Sequence, residues 1–242
     1  MIVFPPIFGA NPIDWDLAIH FVLKKYNVIM ALMPEDISDP NRPVSDINDF
    51  LVRTTISSRM LIDLASSWKH VDSSKIGAIG ISLGGIRASL LLGVDLRLDA
   101  AVTFVAGGNF PEIVTNSQQK IMKNWRETRM EIEGIPTNKD FLEKISEVME
   151  IDPIYFASRR NRKDIFMIVG KKDNKVPTIN QYELWKSFRE PKAKFLPAGH
   201  VQTALTWKYF LPGITRYFKK KLSGKLKSKD IKNNFRESKF FE

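Results

Sequence analysis

Cysteine is absent from all 242 residues. Disulfides, thiolate metal sites and a cysteine nucleophile are therefore excluded, and redox chemistry gives no clue to the compartment. Histidine is scarce: the three residues His20, His70 and His200 are too few for a histidine-rich metal cluster, so no metal and no other cofactor is expected. No apolar run reaches the length that spans a bilayer. The opening Met1-Ile2-Val3-Phe4-Pro5-Pro6 has neither the basic residues nor the long apolar stretch of a signal peptide, and a cytoplasmic protein is expected. The chain enters a strand at once, which points to sequence missing upstream. There is no internal repeat.

Positive charge is in excess but unevenly placed. From Lys219 to Glu242 nine Lys or Arg stand against three acids, leaving only four of the net +10 for the other 218 residues. The body is thus mildly basic, and no nucleic-acid partner is expected. The tail over 223–242 reads either as a passive solvated segment or as a weak contact to an anionic membrane surface, with Leu222, Leu226, Ile231 and Phe235 spaced among the lysines.

What remains is enough for one α/β domain over 1–222. Apolar runs of strand length lie at Ile2–Phe4, Val28–Leu32, Ile76–Ile81, Ala100–Ala106 and Ile165–Val169, that at Val28–Leu32 continuous as in a sheet buried on both faces, and Lys194–Leu196 is a short final strand. Between them lie helical patterns: Trp15–Lys25 with Asp14 as N-cap, a long stripe between Asp46 and Lys69, and Ile86–Leu92. Another begins at Thr178, with Gln181 completing a capping box and Ile179, Tyr182, Trp185 and Phe188 on one side. The last runs from Thr203 to Lys221 with a break at Pro212. Alternation of strand and helix predicts a mostly parallel sheet with helices on both faces. It pauses over 109–152, where two charged amphipathic segments, Ile121–Ile132 and Phe141–Met149, form an insertion. These serve either as a lid over a site or as ordinary packing helices. Thr137 and Asp140 resemble a capping box for the second.

Chemistry concentrates at the strand ends. Gly80-Ile81-Ser82-Leu83-Gly84 is a G-x-S-x-G pentapeptide between an apolar strand and a helix, where the serine sits on a strained turn and side chains larger than hydrogen collide at the flanking glycines. A serine hydroxyl needs a neighbouring base, and the base an orienting acid. Asp173 follows one strand and His200 the next, so a parallel sheet carries both to the edge that holds Ser82. Asp152 and Asp99 are rival acids, less well placed; Asp173 could also cap its own turn and His200 be a structural histidine. His20 and His70 read as surface or packing residues, and Trp125, Trp185 and Trp207 as packing residues.

Over residues 2–221 the chain resembles the α/β-hydrolases. Gly80–Gly85 resembles their nucleophile elbow, Gly170–Pro177 their acid loop and Ala198-Gly199-His200 their histidine loop. The resemblance implies an α/β-hydrolase fold lacking its first two strands, with Ser82 as nucleophile, Asp173 as acid and His200 as general base. It further implies an oxyanion hole from the amide of Leu83 and one from the Pro5–Gly9 loop, where Ile7 is expected, with Phe8 next, because Pro5 and Pro6 have no N–H. The expected activity is cleavage of a small-molecule carboxylic ester, less readily an amide, through an acyl-enzyme. Acyl transfer on the same fold and a non-catalytic binding protein are the alternatives.

Overall fold

Apolar residues in unbroken runs become strands when both faces of a sheet are covered, and here they do. The computed structural model describes residues 1–4, 12–32, 39 and 42–223. Strands β1 (Ile2–Phe4), β2 (Val28–Met30), β3 (Ile76–Ile81), β4 (Leu98–Phe104), β5 (Ile165–Gly170) and β6 (Ala193–Leu196) form one sheet in the order β2-β1-β3-β4-β5-β6. Every neighbouring pair is parallel. The carboxyl ends of all six therefore lie along one edge.

Helices α1 (Pro12–Leu23), α2 (Asp46–Ser66) and α3 (Leu83–Val94) carry the chain between the first strands. The segment after β4 holds α4 (Phe110–Asn116), α5 (Lys120–Ile132), α6 (Asn138–Val148) and α7 (Pro153–Phe156). Then come α8 (Thr178–Ser187), α9 (His200–Leu205) and α10 (Trp207–Leu222). Side chains along a strand alternate between faces, and β5 shows the consequence. Ile165, Met167 and Val169 pack with residues of α2, α3 and α8, whereas Phe166 and Ile168 pack with Leu17 and Phe21 of α1 and Ile214 and Phe218 of α10. The sheet is thus the middle of three layers. Among the described residues no helix is long and apolar enough to cross a membrane.

Several elements differ from their sequence patterns. The Val28–Met30 strand is at the sheet edge and only half buried, because strand order and not local apolarity sets exposure. Asp14 is not a cap: α1 already starts at Pro12, and Asp14 is buried in its first turn, where a carboxylate complements the helix dipole. Strand β4 starts and ends two residues early, since Val105 turns the chain out with φ 45°, an unusual value for a β-branched residue. The final helix breaks at Thr206, whose N–H and Oγ1 both donate to the Thr203 carbonyl, and not at Pro212. Proline within a helix costs about 3 kcal/mol. Burial of Trp207 before it and Ile214 and Phe218 after it keeps both halves of α10 on one axis, each contributing about 1.5–3 kcal/mol.

Candidate active site

Strand β3 ends at Ile81, and Ser82 follows with φ 55° and ψ −125°, a conformation that side chains rarely adopt. Ser82 is held from both sides: its N–H donates to the Phe104 carbonyl at 2.8 Å and its own carbonyl accepts from Ile86 N–H at 2.9 Å, so the residue caps α3. Two glycines permit the turn. A Cβ on Gly80 would stand 2.2 Å from the Gly84 carbonyl oxygen, and one on Gly85 would stand 2.8 Å from Ala106 Cβ. Leu83 is the first residue of α3, where an amide has no acceptor within its own helix.

Beyond β5, the Asp173 carboxylate is fully buried and accepts four hydrogen bonds. Oδ1 takes the amides of Lys175 and Val176 at 2.9 and 3.1 Å; Oδ2 takes Gln181 Nε2 at 2.8 Å and His200 Nδ1 at 2.7 Å. Asp173 therefore caps its turn and also holds the histidine. His200 opens α9 directly after β6, with its side chain 12% exposed. A carboxylate can only accept, so Nδ1 carries the proton and Nε2 is the nitrogen left for the cavity. That cavity, of about 240 Å³, is lined by Ser82, Leu83 and His200 together. The structure brings these residues and Asp173 to one edge of the sheet; Ile7 and Phe8, expected to supply the second oxyanion amide, lie outside the described residues, as does the tail beyond Ser223.

The rival acids have other tasks. Asp152 is buried and accepts the amides of Asn109, Phe110 and Ile154, tying α4 to α7; burial pushes its carboxyl up, against those three bonds. Asp99 accepts the Ile76 amide at the opposite end of the sheet. His20 Nε2 meets Thr215 Oγ1 at 2.9 Å, and burial, with Lys24 nearby, lowers its pKa; His70 stacks on Trp68. Trp125 packs edge-on to Phe141 in the core, Trp207 is buried, and Trp185 Nε1 donates to the Pro191 carbonyl. Among the described residues no group of three His, Asp or Glu is placed to hold a metal ion.

Gln181 does not complete a capping box and has another role that its sequence pattern did not show. It is fully buried, donates to Asp173 and to the Val176 carbonyl, and accepts from the Gly170 amide at 3.1 Å, whereas Pro177 occupies the cap position of α8. The buried face is Gln181, Leu184 and Phe188, a helical 3–4 spacing, and Ile179 is 61% exposed. A glutamine on the stripe that includes Leu184 was the available signal. Asp14, in the cavity wall, was also missed.

No protein-family model and no curated protein matches the sequence. Solved structures do resemble the molecule. The acetyl xylan esterase from Paenibacillus sp. R4 superposes with a TM-score of 0.65 at 17% identity, over 91% of this chain and 74% of that one. Acetyl xylan esterase 1 from Thermoanaerobacterium sp. JW/SL YS485 gives 0.63 at 14%, over 87% and 74%. The alpha/beta hydrolase GrgF from Penicillium sp. sh18 gives 0.60 at 13%, over 92% and 90%. The fold is that of the α/β-hydrolases. In this α/β-hydrolase-like chain the Ser82 elbow follows β3, the Asp173 loop follows β5 and His200 follows β6, each at a strand's carboxyl end.

The insertion between β4 and β5 forms part of the cavity wall. Phe110, Ile113 and Val114 of α4 and Met122 of α5 line it. It is tied to the loop that carries Asp173: Ser117 Oγ donates to the Lys175 carbonyl at 2.6 Å and Gln118 N–H to the Asn174 carbonyl at 2.9 Å. Buried Arg126 closes the same turn by donating to the carbonyls of Val114 and Ser117.

Proposed function

We propose that the protein is a serine hydrolase that cleaves a carboxylic ester through an acyl-enzyme. The observation that carries this reading is His200, joined at 2.7 Å to the buried Asp173 behind it and lining one cavity with a serine held at φ 55° on a strand-to-helix elbow. His200 Nε2 takes the proton of Ser82 Oγ as that oxygen attacks the ester carbonyl, and Asp173 keeps the ring in the required tautomer and stabilises the imidazolium. The oxyanion that forms is met by the Leu83 amide, with Ile7 proposed for the second donor. The imidazolium returns the proton to the departing alcohol oxygen. Water, deprotonated by the same nitrogen, then cleaves the acyl–serine bond, releasing the acid and restoring Ser82. The esterases of the same fold lend support by analogy of fold.

A fluorophosphonate probe tests this directly. One probe is expected to attach per chain, on the peptide that carries Ser82, by intact-mass and peptide mass spectrometry. An unlabelled wild-type protein overturns the reading.

Gln181 gives a second expected result. Gln181 is buried and its Nε2 donates to Asp173 Oδ2 at 2.8 Å, so Gln181→Leu leaves a buried carboxylate one donor short and is expected to lower kcat and to cost about 1–3 kcal/mol of stability. Gln181→Glu is expected to keep more of both, because a carboxylic acid packed against a buried carboxylate holds its proton and donates the same bond. Steady-state kinetics and urea unfolding of the two variants check this.

A further inference from the structure

The two walls of the cavity differ in a way that assigns the halves of an ester. His200 returns its proton to the leaving oxygen, so the alcohol half has to sit on the histidine side of Ser82. That side is formed by α9, where Val201 and Leu205, 46% and 56% exposed, line the cavity together with the buried Ala204. The opposite wall is built by α3 and α4. There Leu83, Ile86, Phe110, Ile113 and Val114 line the cavity with no more than 8% exposure each, and Met122 of α5 completes it. One half of the substrate thus meets a wall belonging to the core, and the other a wall in contact with solvent.

We infer that the enzyme selects an aliphatic acyl chain of medium length, hexanoyl to octanoyl, and discriminates little among alcohols; the inference rests on the hydrolase reading above. A dry cavity of about 150 Å³ lined by Leu, Ile and Phe holds the six carbons of benzene. The 240 Å³ here therefore has room for about nine or ten carbons. Part of that volume belongs to the open alcohol side, which leaves six to eight for the acyl chain. The wall favours an aliphatic group because Leu83, Ile86, Ile113 and Val114 are aliphatic and Phe110 adds an apolar ring. Each methylene that leaves water there raises kcat/KM about two- to fourfold, the upper figure corresponding to about 0.8 kcal/mol per buried methylene.

The test uses the full chain and two ester panels. In the first the leaving group is fixed as p-nitrophenol and the acyl group runs from acetyl to hexadecanoyl. In the second the acyl group is fixed as octanoyl and the alcohol runs from methanol to octanol. The expected result is a rise from acetyl to a maximum at hexanoyl or octanoyl and a fall by dodecanoyl, with less than about fivefold variation across the alcohols, since a chain left in water gains little. Met122→Trp, which changes a half-buried wall residue, is expected to move the maximum at least two carbons shorter, with thermal melting reporting that the variant folds. A maximum at acetyl, or a steep dependence on the alcohol with none on the acyl chain, overturns the inference and leaves the hydrolase reading in place. Turnover of no ester together with no fluorophosphonate labelling overturns both.

Discussion

Ser82→Ala is expected to lower kcat for ester hydrolysis by about 10⁶-fold, the scale of loss when the nucleophile of a serine triad is removed. His200 and Asp173 then have nothing to activate. The same substitution is expected to leave stability within about 0.5 kcal/mol, because alanine carries the same Cβ through the same φ of 55° and, among the described residues, Ser82 makes no side-chain cap bond to α3. Ser82→Gly separates chemistry from strain. Glycine adopts this backbone without a Cβ penalty, so it is expected to be equally inactive yet more stable than Ser82→Ala by about 1 kcal/mol. Urea unfolding of the pair measures the difference, and steady-state kinetics measures the loss. Retained turnover in Ser82→Ala removes the serine from the mechanism.

The second large effect belongs to Asp173→Asn. All four hydrogen bonds to this carboxylate come from donors: two amides at Oδ1, Gln181 and His200 at Oδ2. An asparagine has one acceptor oxygen where the aspartate had two, and either orientation sets its NH₂ against a pair of donors. With the NH₂ toward Oδ2, the imidazole is driven into the tautomer whose Nε2 carries the proton and cannot act as base, an effect of about 10⁴-fold in kcat. With the NH₂ toward Oδ1, the amides of Lys175 and Val176 lose their acceptor within the protein, at about 1–3 kcal/mol for each buried donor left unpaired. The expected variant is therefore both nearly inactive and less stable, as read by kcat and by the urea midpoint. Full activity at an unchanged midpoint would remove Asp173 from both roles.

Much of this site is legible in the sequence because a parallel sheet imposes simple grammar. Strands covered on both faces are continuous apolar runs, and the residues after each run land on one edge. Ser82 and Asp173 come after such runs and His200 after the short edge strand β6, and the structure brings them together. Features set by neighbours distant in sequence were not legible. The half exposure of Val28–Met30 comes from its place at the sheet edge, which its own residues do not encode. Helix α8 turns Gln181 inward because the buried carboxylate of Asp173 and the Gly170 amide need partners there, overriding the more apolar stripe through Ile179. The Thr178–Gln181 spacing therefore resembled a cap, whereas Gln181 holds the buried carboxylate of Asp173. Helix α4 went unread because it starts from Asn109 at φ 57° and leans on Asp152, forty-three residues further on.

The insertion between β4 and β5 lies between two strands that pair with each other. Phe104 pairs with Ile168 and Ala101 with Ile165 across the whole of α4 to α7, the pairing that joins a wing carrying Ser82 to a wing carrying Asp173 and His200. Contacts so far apart along the chain form slowly, since a long loop has to close before they yield any stabilisation. Local helices and the Asp173–His200 pair depend only on shorter segments. Bringing Ser82 onto the same sheet edge as Asp173 and His200 therefore waits on the docking of β5 on β4.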